Sequence, residues 1–154
     1  MRGYQLNGLE WMLYMFENGT SMILGDEMGL GKTLQTISFL AGLKERGING
    51  PHLITVPLSV LSSWRNEFRR WCPSFKVIRL HSADKNERER LRKLIVNDLG
   101  SYDVVLTTYE FIKSPEMKVT ISSRVNWTVV VLDEGHRVKN HETSISIAMK
   151  KNQV

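Results

Sequence analysis

With 154 residues, 42% of them hydrophobic, the chain has the size of one domain or a piece of one and enough apolar material for a packed core. Lysine and arginine outnumber aspartate and glutamate 21 to 16, a formal net charge of +5 that favours a polyanionic partner. The lone cysteine, Cys72, excludes an internal disulfide and reads as a small core or boundary residue suited to a reducing compartment. No apolar run approaches the roughly 18 residues of a membrane span, and no basic stretch followed by an unbroken apolar run marks a secretory signal.

In chain order, Leu9, Met12, Leu13 and Phe16 recur at helical intervals, and Asn18-Gly19 closes that helix. Ser21 to Leu24 predicts a first strand and Gly25 to Thr33 a loop. Leu34, Ile37, Leu40 and Ala41 then predict a helix that breaks near Gly47 and Gly50. Leu53 to Val56 reads as a second strand stopped by Pro57. Leu61, Trp64, Phe68 and Trp71 fall at i, i+3, i+7 and i+10 on a helix ended by Pro73. Lys76 to Leu80 is a third strand. Asp84 with Glu87 predicts a capping box for a helix that buries Leu91, Leu94, Ile95 and Leu99 and stops at Gly100. Val104 to Leu106 and Thr128 to Leu132 are the fourth and fifth strands. Several strands are continuous apolar runs, as strands covered on both faces are. The expectation is an α/β fold, a parallel sheet with helices on both faces.

Two segments carry chemistry. Gly25-Asp26-Glu27-Met28-Gly29-Leu30-Gly31-Lys32-Thr33 lies between a strand and a helix and reads as a phosphate-binding loop. Gly29 and Gly31 let the backbone turn its N–H groups toward phosphate oxygens. Lys32 can reach the β- and γ-phosphates of ATP, and the Thr33 hydroxyl can ligate Mg²⁺. Asp26 stands where the strict pattern G-x-x-x-x-G-K-[ST] has glycine. The second segment, Val129-Val130-Val131-Leu132-Asp133-Glu134-Gly135-His136, delivers two carboxylates to the C-terminal end of a strand, the edge where open α/β sheets bind ligands. An Asp-Glu pair alone also ends strands as a solvated turn. With a phosphate loop at the same edge, Asp133 is placed to hold Mg²⁺ and Glu134 to orient or deprotonate the attacking water.

Other residues read more plainly. His52, His81 and His141 show no metal-ligand spacing. Trp11, Trp64, Trp71 and Trp127 read as core. Arg65, Arg69 and Arg70 lie on the polar side of the Trp64 helix, and the run from Lys85 to Lys93 mixes both signs, so both groups are expected to face solvent.

The motif order is specific. Met1-Arg2-Gly3-Tyr4-Gln5, then Asp26 to Thr33, Pro57-Leu58-Ser59-Val60-Leu61-Ser62-Ser63-Trp64, Thr107-Thr108-Tyr109-Glu110 and Asp133-Glu134-Gly135-His136-Arg137-Val138-Lys139-Asn140 together resemble the Swi/Snf-type chromatin-remodelling ATPases, helicase-like motors of superfamily 2. The imitation-switch and lymphoid-specific helicase branches look nearest. Asp26 is itself a feature of that family's loop, and Gly135 stands where alanine is also common. The resemblance covers essentially residues 1–154 and implies the first, ATP-binding RecA-like P-loop NTPase lobe, with ATP and Mg²⁺ as cofactors. It implies that Gln5, with Arg2 nearby, reads the adenine, and that Asp26, Glu27, Met28, Gly29, Leu30, Gly31, Lys32 and Thr33 surround the phosphates. It implies that Asp133, Glu134 and Lys32 are catalytic and that His136 couples the nucleotide site to the DNA-bound state. Pro57, Ser59, Trp64, Thr107 and Thr108 would lie along a DNA strand, where hydroxyls and backbone N–H groups suit phosphate oxygens without reading bases.

The implied partners are double-stranded DNA, nucleosomes with their histones, and remodelling-complex subunits, with no membrane; the implied location is the nucleus. The family's next motif and its second lobe with arginine fingers do not occur in these residues. The expectation is a fragment of a motor whose sheet is incomplete at its C-terminal side. A DNA-repair or protein-stripping translocase of the same superfamily, or a truncated non-catalytic nucleotide-binding module, are the alternative readings.

Overall fold

The computed structural model describes residues 22–27, 31–133 and 142–149, with the first and last of these stretches described by their backbone alone. The elements are β1 (Met22–Glu27), α1 (Lys32–Glu45), β2 (His52–Val56), α2 (Leu61–Trp71), β3 (Val77–Leu80), α3 (Lys85–Asn97), β4 (Val104–Thr108), α4 (Tyr109–Ile112), α5 (Pro115–Ser123), β5 (Val129–Asp133) and β6 (Glu142–Met149). The predicted helix around Leu9 to Phe16 lies outside the described residues.

One six-stranded sheet has the order β1-β6-β5-β2-β4-β3. Strands β3, β4, β2 and β5 are mutually parallel, with Leu53 opposite Val105 on one side and Val130 on the other. Every residue of β2 and of β4 is buried, which is why these strands read as unbroken apolar runs. The helices cover both faces, as expected. On one face α1 and α2 press Ile37, Phe39, Leu40, Leu61, Trp64 and Phe68 onto Ile54, Val56, Val104, Leu106, Val129 and Val131. On the other, Leu91, Ile95, Met117 and Ile121 from α3 and α5 pack on Leu53, Leu80 and Val105. The stripe read along α2 holds for its first three members: Leu61, Trp64 and Phe68 are all at most 2% exposed.

The structure departs from the sequence reading at several points. Gly25, Asp26 and Glu27 extend β1 and pair with Ser144, Thr143 and Glu142 instead of belonging to a loop. Strand β6, absent from the sequence reading, runs antiparallel to both β1 and β5 and lies between them. Asp84 caps α3 by accepting from the Asn86 N–H, while Glu87 grips Arg90 at 2.6 Å and does not close a capping box. Leu99 lies past the end of α3 in a short 3-10 turn and is 46% exposed. Trp71 is also 46% exposed: its indole donates to Glu67 and the Arg70 guanidinium sits 4.7 Å from the ring, so local polar partners hold it at the surface. Cys72 is half-buried at the boundary, and burial pushes its thiol up.

Helices α4 and α5 follow β4 without a sequence forecast. Thr108 Oγ1 accepts from the Phe111 N–H at 3.2 Å, and Ser114 Oγ accepts from the Met117 N–H at 3.3 Å with Pro115 in the first helical position.

Candidate nucleotide and DNA site

The two chemical segments meet at one sheet edge because of strand direction. β1 and β5 are both antiparallel to β6 and therefore parallel to each other. Leu24 and Asp133 lie opposite the same residue of β6, Ile145. At about 4.8 Å between neighbouring strands, their backbones are roughly 10 Å apart. The chain leaving β1 enters α1 through Gly31, whose φ of 82° is a left-handed conformation that a Cβ would strain. Gly31 is the N-cap of α1, and its carbonyl accepts from the Gln35 N–H at 2.8 Å. The first turn of this 14-residue helix has no acidic residue, so the positive end of its dipole is not offset locally. Lys32, the first helical residue, is buried, with its carbonyl accepting from Thr36 Oγ1 at 2.8 Å. Backbone N–H groups, a helix N-terminus and a lysine at one point suit a phosphate.

Across β6, Asp133 ends β5. Its Oδ2 accepts from Trp64 Nε1 at 2.9 Å, and its backbone carbonyl accepts from the Tyr109 hydroxyl at 3.1 Å. Among the described residues no group of three or more His, Cys, Asp or Glu side chains converges as a metal cage. One carboxylate and one hydroxyl are hard oxygen donors of the kind that suit Mg²⁺ held mainly by substrate phosphates, so Asp133 and Thr33 are the residues that could hold it. Arg2, Gln5, Met28, Gly29, Leu30, Glu134 and His136 lie outside the described residues, and Asp26 and Glu27 are described by backbone only.

The loop that follows β2 opens at the same edge. Pro57 precedes a 3-10 turn, Leu58 to Val60, with Ser59 exposed and Leu58 53% exposed; Ser62 and Ser63 are exposed at the start of α2. Three residues expected along DNA are placed otherwise. Trp64 is 2% exposed, its ring in the core and its N–H on Asp133. Thr107 is buried and donates to the Leu80 carbonyl; Thr108 is buried, caps α4 and lies 3.5 Å from His81 Nδ1. Their side chains are committed inside the fold, and the exposed groups at this edge include those of the Pro57–Ser63 loop. The stripe of α2 already marked Trp64 as buried. Tyr109 has no sequence signal for its contact with Asp133 beyond its place directly after β4.

Among the arginines expected to be solvated, Arg65 is half-buried, and burial first, then Arg69 and Arg79, hold its pKa below the ordinary value. The mixed run on α3 is locally paired, Arg90 with Glu87 and Arg92 with Glu89 and Glu116. Among the described residues, no helix is long and apolar enough to cross a membrane.

Comparison with known proteins places these features in company. Residues 4–153 match the model of the SNF2-related domain. An imitation-switch (ISWI) chromatin-remodeling complex ATPase of Arabidopsis thaliana is 43% identical over 151 residues, which are 97% of this chain and 14% of that protein. The transcription regulatory protein SNF2 of Saccharomyces cerevisiae is 41% identical over 150 residues, 97% of this chain and 8% of the yeast protein. The Sulfolobus solfataricus SWI2/SNF2 ATPase core solved in complex with dsDNA superposes with a TM-score of 0.72 at 34% identity, over 90% of this chain and 27% of that one. The chain thus spans less than a fifth of the length of either curated relative.

Proposed function

Because the chain belongs to the SNF2-related domain family, we propose that it is the first RecA-like, ATP-binding lobe, residues 1–154, of a DNA-dependent ATPase that translocates on double-stranded DNA and remodels nucleosomes in the nucleus. The observation that carries this reading is the convergence of the α1 N-terminus, with Gly31 and Lys32, and of Asp133 on one sheet edge, beside the Pro57–Ser63 loop. Lys32 meets the β- and γ-phosphates, and its neighbour Thr33 with Asp133 holds Mg²⁺, which when bound would offset charge on the phosphoryl group. Glu134, the next residue, orients the attacking water or takes its proton. The adenine is read by Gln5 with Arg2, and His136 links this edge to the DNA state. DNA phosphates are met by Pro57, Ser59 and the exposed hydroxyls of Ser62 and Ser63, contacts without base information that suit a motor stepping along any sequence.

Remodelling is favoured over repair or protein stripping because the Arabidopsis relative is a chromatin-remodeling complex ATPase and the yeast relative a transcription regulator. Histones and remodelling-complex subunits follow as partners on the same ground. The test is Lys32→Ala in the full-length protein. Nucleotide binding and DNA-stimulated phosphate release are expected to be lost while the fold is kept, because Lys32 stands at the sheet edge. Unchanged nucleotide affinity would remove the phosphate-loop assignment.

A further inference from the structure

Three tryptophans of this fold satisfy their indole N–H groups in three different ways. Trp127, in the core under α5, donates to a backbone carbonyl, that of Ile121, at 2.8 Å. Trp71, at the surface, donates to Glu67 one turn back on its own helix. Trp64 is buried in the core, only 2% exposed, yet its acceptor is the carboxylate of Asp133, 69 residues away in sequence. A buried indole needs an acceptor, and a carbonyl ordinarily suffices. Here the acceptor is the acidic side chain at the end of β5 on the site edge.

We propose that Trp64 is a positioning residue for the metal carboxylate: its N–H fixes the Asp133 side chain in the orientation that receives Mg²⁺–nucleotide, while Tyr109 fixes the backbone of the same residue. This rests on the nucleotide reading of the site given above. The choice of donor matters. An indole N–H orients a carboxylate without carrying charge, so Asp133 keeps its full attraction for a cation; an arginine or lysine in that place would compete with the metal. Such supporting hydrogen bonds fix a ligand's orientation and basicity, and losing one typically lowers metal affinity 10–100-fold.

The two supports also have a common origin. Trp64 lies in the first turn of α2, directly after the Pro57–Ser63 loop, and Tyr109 opens α4 directly after β4, where Thr108 caps the turn. Two segments that leave the sheet at this edge, the one after β2 and the one after β4, thus each send one side chain back to Asp133. DNA seated on the Pro57–Ser63 loop would act on the metal carboxylate through one rigid helical turn, without passing through the phosphate loop.

Trp64→Phe keeps the ring in the core and deletes the N–H. In the full-length protein, Mn²⁺ affinity in the presence of nucleotide, read from the EPR signal of free Mn²⁺, should fall about tenfold. Nucleotide affinity in EDTA should not change. A residue that merely fills the core would move both affinities together or neither, so an unchanged Mn²⁺ affinity in a folded Trp64→Phe protein overturns the proposal. Should that variant not fold, the unsubstituted protein gives the second measurement. Its Trp64 indole ¹H–¹⁵N cross-peak should shift on adding Mg²⁺ with nucleotide and stay in place with nucleotide alone; a cross-peak indifferent to the metal overturns the proposal. Lys32→Ala measured alongside separates the two levels. Lost nucleotide binding in Lys32→Ala with a silent Trp64→Phe removes the positioning role and leaves the site standing, whereas intact binding in Lys32→Ala removes the site on which the role depends.

Discussion

Acidification should destabilise this fold through one side chain. His52 opens β2 on the α1–α2 face, is 1% exposed, and its Nδ1 finds no hydrogen-bond partner among the described residues. Burial pushes its pKa down to about 4, against a smaller opposing pull from Asp103. The native state therefore holds the imidazole neutral where the unfolded chain, titrating near its ordinary 6.5, already binds a proton. The stabilisation is fully present above about pH 6.5. It is lost progressively as pH falls from there toward 4, below which the native state protonates as well. At about pH 5 the two pKa values give a ratio of roughly 30 between the proton-binding factors of the unfolded and native states, a loss of about 2 kcal/mol relative to neutral pH. That is a large share of the 5–15 kcal/mol of a typical domain. Urea unfolding at constant ionic strength between about pH 5 and 7.5 reads it directly, and His52→Leu supplies the reference because it keeps an apolar side chain and removes the titration. The wild type should lose about 2 kcal/mol more than the variant across that range. Identical pH slopes would refute the burial argument for His52.

Two further outcomes follow from other parts of the molecule. Glu134→Gln keeps the shape and one acceptor but not the base, so nucleotide affinity should persist while steady-state turnover of the full-length protein falls roughly 10²–10⁴-fold; turnover at the parent rate would assign the water-activating role elsewhere. Ser114→Ala removes the oxygen that accepts the Met117 N–H at the start of α5 and should cost about 1 kcal/mol in urea unfolding, with Ser114→Asp restoring most of it; equal midpoints for serine and alanine would show that the cap contributes nothing.

Strand and helix positions around the four parallel strands were legible because a covered parallel strand is an unbroken apolar run. Val129 to Asp133 gave both its strand and the chemistry at its end, and Leu61, Trp64 and Phe68 gave the buried face of α2. What escaped was governed by short-range chemistry or by partners remote in sequence. The Ser114-Pro115 pair is a helix start written in two residues, easily passed over before a helix of only nine. Strand β6 alternates Thr143, Ser144, Ile145, Ser146 and Ile147 at period two, a signal diluted by its place after the chemical motif. Thr107 and Thr108 belong to a motif that suggests DNA, but they complete β4, where Leu80 and α4 use their hydroxyls. In Trp64 two readings competed: its motif suggested a DNA contact, its helical period suggested burial, and the period decided. That its N–H would reach Asp133 depends on the β5–β2–α2 arrangement, which no local pattern encodes.

Strand β6 makes the spacing of the site a matter of registry. β1 has no ladder with β5; both are bonded to β6, so the axial offset between the phosphate-loop strand and the carboxylate strand is the sum of two independent alignments. Since side-chain facing repeats every two residues, the smallest slip of β1 on β6 that keeps faces matched is two residues, about 7 Å along the strand. A slip of that size would move Leu24 a full pleat away from the level of Asp133, so the two strands are either in this register or clearly out of it. β6 thereby acts as a gauge block: the offset between the two strands that lead into the site is set in steps of the pleat.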